Sequence, residues 1–151
     1  MGYNDLRKGR GSRLGHVYLI TAVTFERHRY FEDLSLGRCV VQAMCAQDAA
    51  GRTATLAFVI MPDHVHWLFS LSADVSLAAI MKRVKGTTAH RINALIHSAG
   101  PVWQASFHDH ALRRDTSLVN IARYVVTNPV RAGLVERIGD YSLWDAVWDM
   151  A

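Results

Sequence analysis

The chain has 151 residues, of which 50% are apolar and 20% charged, a globular composition that excludes a disordered or fibrous protein. Its net charge of +4 favours a polyanionic partner without establishing one. No apolar run is long enough to span a membrane, and two cysteines, Cys39 and Cys45, make neither a zinc motif nor a disulfide framework. These features predict a soluble cytoplasmic protein.

Two segments are expected from the distribution of charge and apolar residues. Residues 1–14 are predicted to form a basic flexible arm, and residues 15–151 a single domain. The arm carries four cations interleaved with small residues, namely Arg7, Lys8, Arg10 and Arg13. Such an arm can contact phosphates, or it can be no more than a solvated tail.

Apolar periodicity and turn residues predict an alternation of strands and helices. In chain order the predicted elements are strand His16–Phe25, helix Leu34–Ala50, strands Thr53–Met61 and His64–Leu71, a helix from a Ser76 cap to about His97, strand Val102–Leu112 and helix Ser117–Thr127. Pro129 is expected to stop or kink the last helix, and the residues after it to form a packing tail.

This order, β-α-β-β-α-β followed by a helix, is the ferredoxin-like split pattern. The prediction is therefore an α+β fold with an antiparallel sheet, its helices on one face, and an additional C-terminal helix that bears Tyr124. Since this fold serves many activities, function has to be argued from individual residues.

Two histidines, His64 and His66, lie two positions apart in a predicted strand, so both imidazoles face the same side and can hold one divalent metal. The spacing is weakly specific, because the chain has 8 histidines and a second pair, His108 and His110, repeats it. Surface or core histidines are the alternative interpretation. A metal site requires a third ligand.

Tyr124 and Asn128 are four residues apart on the last predicted helix, beside its apolar stripe. In isolation, Tyr124 is interpreted as a half-buried core tyrosine and Asn128 as a helix-ending residue. Trp67, Tyr141 and Trp144 are interpreted as packing residues.

Several motifs together resemble one family, the REP-associated tyrosine transposases among the HUH single-tyrosine transposases. The motifs are MPDHVHWL (61–68), MKRVKG (81–86), VWQASFHDHALR (102–113), ARYVVTNPVRAGL (122–134) and DYSLW (140–144). The resemblance extends from about residue 15 to residue 144. This family usually has Asn at the position of Asp63, a departure that we expect to leave the histidine pair unaffected.

The resemblance implies a metal-dependent DNA strand transferase. His64 and His66 would bind Mg²⁺ or Mn²⁺, Asn128 would add its amide oxygen, and Tyr124 would be the nucleophile that cleaves single-stranded DNA and rejoins it through a 5′-phosphotyrosine. The implied substrate is hairpin DNA of the repetitive extragenic palindrome type, which implies association with the nucleoid. The resemblance leaves open a monomer or a homodimer, and the base that deprotonates the tyrosine.

Residues 76–114 carry six cations against one carboxylate, so a phosphate-tracking face is expected there. The cations predicted to contact DNA, besides those of the arm, are Lys82, Lys85, Arg113 and Arg114. His108 and His110 are expected to lie near the DNA but outside the metal site.

Two other functions are compatible with the same residues. One is a hairpin-binding host factor that no longer transposes. The other is a metal phosphoesterase in which the histidine pair activates water and Tyr124 only packs.

Overall fold

A five-stranded antiparallel sheet organises residues 16–150, the part of the chain that this computed structural model describes. The strands are β1 (Val17–Val23), β2 (Thr53–Met61), β3 (His64–Leu71), β4 (His108–Ala111) and β5 (Trp144–Ala146). Their order across the sheet is β4-β1-β3-β2-β5, with β3 in the centre. The predicted basic arm, residues 1–14, lies outside the described residues.

Four α-helices are found among the described residues: α1 (Leu34–Ala49), α2 (Leu77–Ile96), α3 (Leu118–Val126) and α4 (Asn128–Arg131). Short 3₁₀ turns are found at Phe25–Arg27, Tyr30–Glu32 and Ile138–Asp140. The first three helices begin at side-chain caps, because Asp33, Ser76 and Ser117 each accept a bond from a backbone N–H that the helix itself leaves unpaired. The predicted Ser76 cap is confirmed.

The sheet separates two apolar cores, as the alternation of side chains along a strand requires. On one face, α1 and α2 cover Val65, Trp67 and Phe69 of β3, whereas α3 packs on the opposite face against Leu68. Trp67 is 1% exposed and donates its indole N–H to Oγ1 of Thr55 at 3.0 Å, which confirms its packing role. The predicted α+β class is therefore confirmed, with α3 on the face away from α1 and α2.

The predicted strand Val102–Leu112 is found in two pieces: β4 forms a continuous ladder with β1, and Trp103 forms an isolated antiparallel bridge with Thr24 just beyond the end of β1. Two side-chain contacts also attach the segment before β4 to α2, which interrupts the ladder. The indole N–H of Trp103 donates to Oγ1 of Thr88 at 2.8 Å, and Nζ of Lys85 donates to the Gln104 carbonyl at 2.6 Å. Both are tertiary contacts, which residue preferences along the segment do not encode.

The C-terminal segment, predicted as a packing tail, includes strand β5 on the free edge of β2. Two aromatic side chains attach it: Oη of Tyr141 donates to the Ile60 carbonyl at 2.6 Å, and Nε1 of Trp144 donates to the Ile138 carbonyl at 2.8 Å. The structural interpretation of Tyr141 and Trp144 is confirmed. Burial also raises the pKa of Tyr141, which keeps its hydroxyl protonated as a donor.

Cys39 and Cys45 are both free thiols, in agreement with the sequence prediction. Within residues 16–150, each helix is too short or too polar to cross a bilayer.

Candidate active site

The two predicted metal-binding histidines lie together on β3, on the face that α3 covers. The ring centroids of His64 and His66 are 4.9 Å apart, with the ring planes at 82°. Val65 between them is 5% exposed and points into the core under α1 and α2. The predicted same-face arrangement of the two imidazoles is confirmed.

His66 is held by the neighbouring strand. Thr21 of β1 is its direct cross-strand partner, and Oγ1 of Thr21 lies 2.9 Å from Nδ1 of His66. Burial, and to a smaller extent the electrostatic influence of His64 and Arg131, lowers the pKa of His66 to about 4. His66 is therefore neutral at physiological pH, the form in which an imidazole nitrogen binds metal.

His64 is held by Asp63, the residue that precedes it in the turn before β3. Oδ1 of Asp63 lies 2.7 Å from Nδ1 of His64, and Oδ2 accepts a bond from Arg27 at 2.9 Å. Partial burial acts to raise the pKa of Asp63, but the bonds from His64 and Arg27 outweigh it and hold the pKa below its ordinary value. The expectation that Asp63 leaves the histidine pair unaffected is wrong.

The turn that carries Asp63 is tied to the end of β1. Both the backbone N–H and the hydroxyl of Thr24 donate to the Asp63 carbonyl, each at 3.0 Å. Shortly after Thr24, Glu26 and Arg27 both adopt a φ of 53°, a backbone conformation that is uncommon for residues other than glycine. Surrounding contacts sustain this local strain and place the Arg27 guanidinium against Asp63.

Each imidazole thus has its Nδ1 atom occupied by a neighbour. A carboxylate can only accept a hydrogen bond, so Nδ1 of His64 donates to Asp63 and its Nε2 is the atom that can bind a metal. If Nε2 is also the metal-binding atom of His66, then Nδ1 of His66 carries the proton and donates it to Oγ1 of Thr21. A ring nitrogen bonded to an oxygen acceptor is the usual support of a metal-binding histidine.

Tyr124 lies on α3 with its side chain open to solvent, 61% exposed, so its interpretation as a half-buried core residue is wrong. The guanidinium of Arg131 covers its ring, with Cζ 3.9 Å from the ring centroid. One N–H group of Arg131 also donates to the Tyr124 carbonyl at 2.7 Å, and another donates to Oγ1 of Thr127.

A break separates Tyr124 from Asn128, as Pro129 predicts. Helix α3 ends at Val126, and α4 begins at Asn128 with the buried Pro129 in its first turn, where a missing N–H is tolerated. Asn128 is half-buried at this start. The short helix α4 contacts β2, the strand beside β3 in the sheet.

Across the described part of the chain, no three His, Cys, Asp or Glu side chains come together as a metal site. A metal held by the histidine pair would need a further ligand of another type, and an amide oxygen is one that hard divalent cations accept. Asn128 on α4 has such an oxygen. The donor set of two imidazoles and one amide fits a divalent ion.

The predicted DNA contacts differ in their surroundings. Lys82 is exposed on α2, whereas the ammonium of Lys85 is bound to the Gln104 and Ser106 carbonyls and burial lowers its pKa. Exposed Arg113 pairs loosely with Asp115 at 3.5 Å, and Arg114 is also exposed. The remaining contacts lie outside the described residues: Arg7, Lys8, Arg10 and Arg13. A DNA-binding role of these residues stays a prediction.

The second histidine pair lies on the edge strand β4. His108 is the cross-strand partner of Thr21, which is itself the partner of His66, so His108 and His66 lie in one row on the same face of the sheet. His108 and His110 are both exposed. His108 does not join His64 and His66 in a group of three ligands anywhere in the described part of the chain.

Sequence reasoning missed three residues of the site: Thr21, Arg27 and Arg131. Thr21 and Arg27 depend on strand register and on a strained turn, which left no signal in the sequence. Arg131 could have been found from the sequence. It lies seven residues after Tyr124 and four after Thr127, and residues at these intervals lie on the same face of a helix.

The sequence matches a known protein family over most of its length. Residues 14–128 match the family described as IS200-like transposases, and the chain belongs to that family.

Two curated proteins are similar in sequence to parts of this chain. The chain is 30% identical over 97 residues to a candidate REP-associated tyrosine transposase of Haemophilus influenzae, covering 58% of this chain and 55% of that protein. It is 26% identical over 86 residues to the REP-associated tyrosine transposase of Escherichia coli K12, covering 56% and 49%. The chain thus spans about half the length of the curated relatives that it matches.

A solved structure shares the fold. A REP-associated tyrosine transposase bound to a REP hairpin superposes with a TM-score of 0.69 at 18% identity, over 91% of this chain and 88% of that one. At this identity the likeness concerns the fold.

Proposed function

We propose that this protein is a metal-dependent transesterase that cleaves and rejoins hairpin-forming single-stranded DNA through a covalent bond to Tyr124. The observation that carries the proposal is an exposed tyrosine on the same face of the sheet as two histidines whose Nδ1 atoms are both engaged. Membership in the IS200-like family supports a transposase, and the relative solved with a REP hairpin supports hairpin DNA as the partner.

His64, His66 and Asn128 would hold the metal, with Mn²⁺ favoured over Mg²⁺ by the imidazole ligands. A bound ion would supply Lewis acidity, withdrawing negative charge from the oxygens of the scissile phosphate. The neutral state of His66 leaves its Nε2 lone pair available without prior loss of a proton. Thr21 and Asp63 would orient the two rings.

In the proposed reaction, the phenolic oxygen of Tyr124 forms a bond to phosphorus as the bond from phosphorus to the 3′ oxygen breaks. The phenol loses one proton and the departing 3′ oxygen gains one, so the products are a 5′-phosphotyrosine and a 3′-hydroxyl. The tyrosine ester retains the free energy of the phosphodiester, and a 3′-hydroxyl of another strand can therefore reverse the step without ATP. The exposure of Tyr124 admits a DNA strand to its ring.

A covalent-adduct assay tests the proposal. Wild-type protein with Mn²⁺ and a 3′-labelled hairpin DNA is expected to give a labelled protein–DNA band that resists denaturation, since the 3′ fragment stays on the tyrosine. Tyr124→Phe and EDTA are each expected to abolish the band. Tyr18→Phe is the matched control, because Tyr18 packs into the core under α1 and α2, on the other face of the sheet.

Two outcomes would contradict the mechanism. Cleavage that persists in Tyr124→Phe would favour a phosphoesterase that activates water. Tight hairpin binding with no adduct on any of several hairpins would favour a DNA-binding host factor.

The Asp63 contact leads to a separate prediction. Asp63→Asn retains a hydrogen-bond acceptor but removes the charge that His64 and Arg27 share, so Mn²⁺ affinity is expected to fall roughly 10-fold. Isothermal titration with MnCl₂ measures this directly. Asp145→Asn, at an exposed position of β5, is the control, and equal affinities in all three proteins would contradict the role of Asp63.

A further inference from the structure

Arg131, the last residue of α4, makes three contacts around the nucleophile. Its guanidinium lies over the Tyr124 ring at 3.9 Å, and its N–H groups donate to the Tyr124 carbonyl and to Oγ1 of Thr127. A ring that is 61% exposed is not fixed by packing. The guanidinium therefore supplies a restraint that the surrounding core does not.

The break between α3 and α4 explains why an arginine takes this position. Because α3 ends at Val126, carbonyls of its last turn lack some of the N–H partners that a continuing helix provides. Thr127 Oγ1 donates to the Arg123 carbonyl at 2.7 Å, and Arg131 donates to the next carbonyl, that of Tyr124. The planar guanidinium can bond this carbonyl while its flat face covers the ring, and an ammonium has no such flat face.

We infer that Arg131 is a positioning residue, which holds the Tyr124 side chain in the orientation required for attack on a phosphodiester. The inference rests on the proposed transesterase function. An exposed tyrosine samples several rotamers, and only some of them direct its oxygen at a bound phosphate. Restricting the ring to one orientation raises the fraction of bound complexes that are ready to react.

Single-turnover cleavage at saturating hairpin DNA tests the inference. Arg131→Gln is expected to lower the cleavage rate constant at least ~10-fold, with the dissociation constant for DNA, measured by fluorescence anisotropy, unchanged relative to the control. The control is Arg123→Gln, which removes the same charge from an exposed residue of α3 next to Tyr124. Arg131→Lys is expected to leave the rate low, since it restores the charge but neither the fork nor the flat stack.

A second measurement follows the ring without requiring cleavage. In protein labelled with 3-fluorotyrosine, the ¹⁹F resonance that Tyr124→Phe removes belongs to Tyr124. Arg131→Gln is expected to shift this resonance and Arg123→Gln to leave it in place, with thermal melts establishing that both variants are folded. The ¹⁹F spectrum is recorded without DNA, so the orientation of the ring is measured whether or not the protein cleaves DNA.

The outcomes separate the inference from the proposed function. No adduct with the wild type would reject the transesterase, and the ¹⁹F shift would still decide whether Arg131 orients the ring. An adduct that Arg131→Gln forms at the wild-type rate, or full rescue by Arg131→Lys, would overturn positioning. Weakened DNA binding at an unchanged saturating rate would also overturn it, in favour of a phosphate contact.

Discussion

His66→Ala is expected to weaken Mn²⁺ binding by more than ~100-fold, because loss of a supporting partner alone weakens metal sites by about 10–100-fold. The proposed site has only two imidazoles and one amide, so the removal of one imidazole leaves a pair of ligands that cannot hold the ion. Isothermal titration, or the EPR signal of free Mn²⁺, measures the change. DNA cleavage is expected to fall in parallel.

The second histidine pair supplies a matched control for this experiment. His108 lies in the same cross-strand row as His66, separated from it by Thr21, but on the exposed edge strand. His108→Ala is therefore expected to bind Mn²⁺ as the wild type does. Equal losses in the two variants would contradict the assignment of the site to β3.

Acid is expected to destabilise the fold through His66. Its pKa is about 4 in the folded protein and near 6.5 in the unfolded chain, so the unfolded chain takes up the proton first as the pH falls. The contribution is fully present above pH ~6.5 and is lost progressively toward pH 4. Across this window the free energy of unfolding is expected to fall by about 3 kcal/mol.

Urea denaturation in EDTA at pH 7.5, 5.5 and 4.0 checks this expectation. His66→Gln, which cannot take up a proton, is expected to lose less stability over the same interval than the wild type. Asp63, whose pKa is also lowered, titrates in both the wild type and His66→Gln. Its effect on the free energy of unfolding therefore largely cancels when the two proteins are compared. Parallel loss of stability in the two proteins would show that another group is responsible.

The sheet was predicted best where local signals are strongest. The bounds of β2 and β3 agree with the prediction residue for residue, because two long apolar runs flank a Pro-Asp turn. β5 was missed, since a strand of three residues in an aromatic-rich tail depends on the free edge of β2 for its pairing. The strand predicted over 102–112 is interrupted because its first part, after one bridge to Thr24, is also bonded to α2 by side chains.

The sequence also predicted some features of the candidate site and missed others. Strand alternation alone placed both histidines on one face, and Pro129 alone indicated the break before Arg131. Neither periodicity nor composition indicates which oxygen reaches each Nδ1 atom. Thr21 does so through the register of β1 with β3, and Asp63 through a turn whose shape depends on the strained residues beside it.

The central position of β3 protects the backbone of the histidine pair from local opening more than the helix that bears Tyr124 is protected. The strand is hydrogen-bonded along both edges, so the backbone that bears the two imidazoles opens only when the sheet itself unfolds. Tyr124 belongs to a nine-residue helix whose final carbonyls are bonded by side chains, next to a proline break. In the proposed reaction Tyr124 would carry a DNA end, and this joint is where α3 would move, with Arg131 restraining the ring relative to its own helix, while the strand that bears the histidines stays in place.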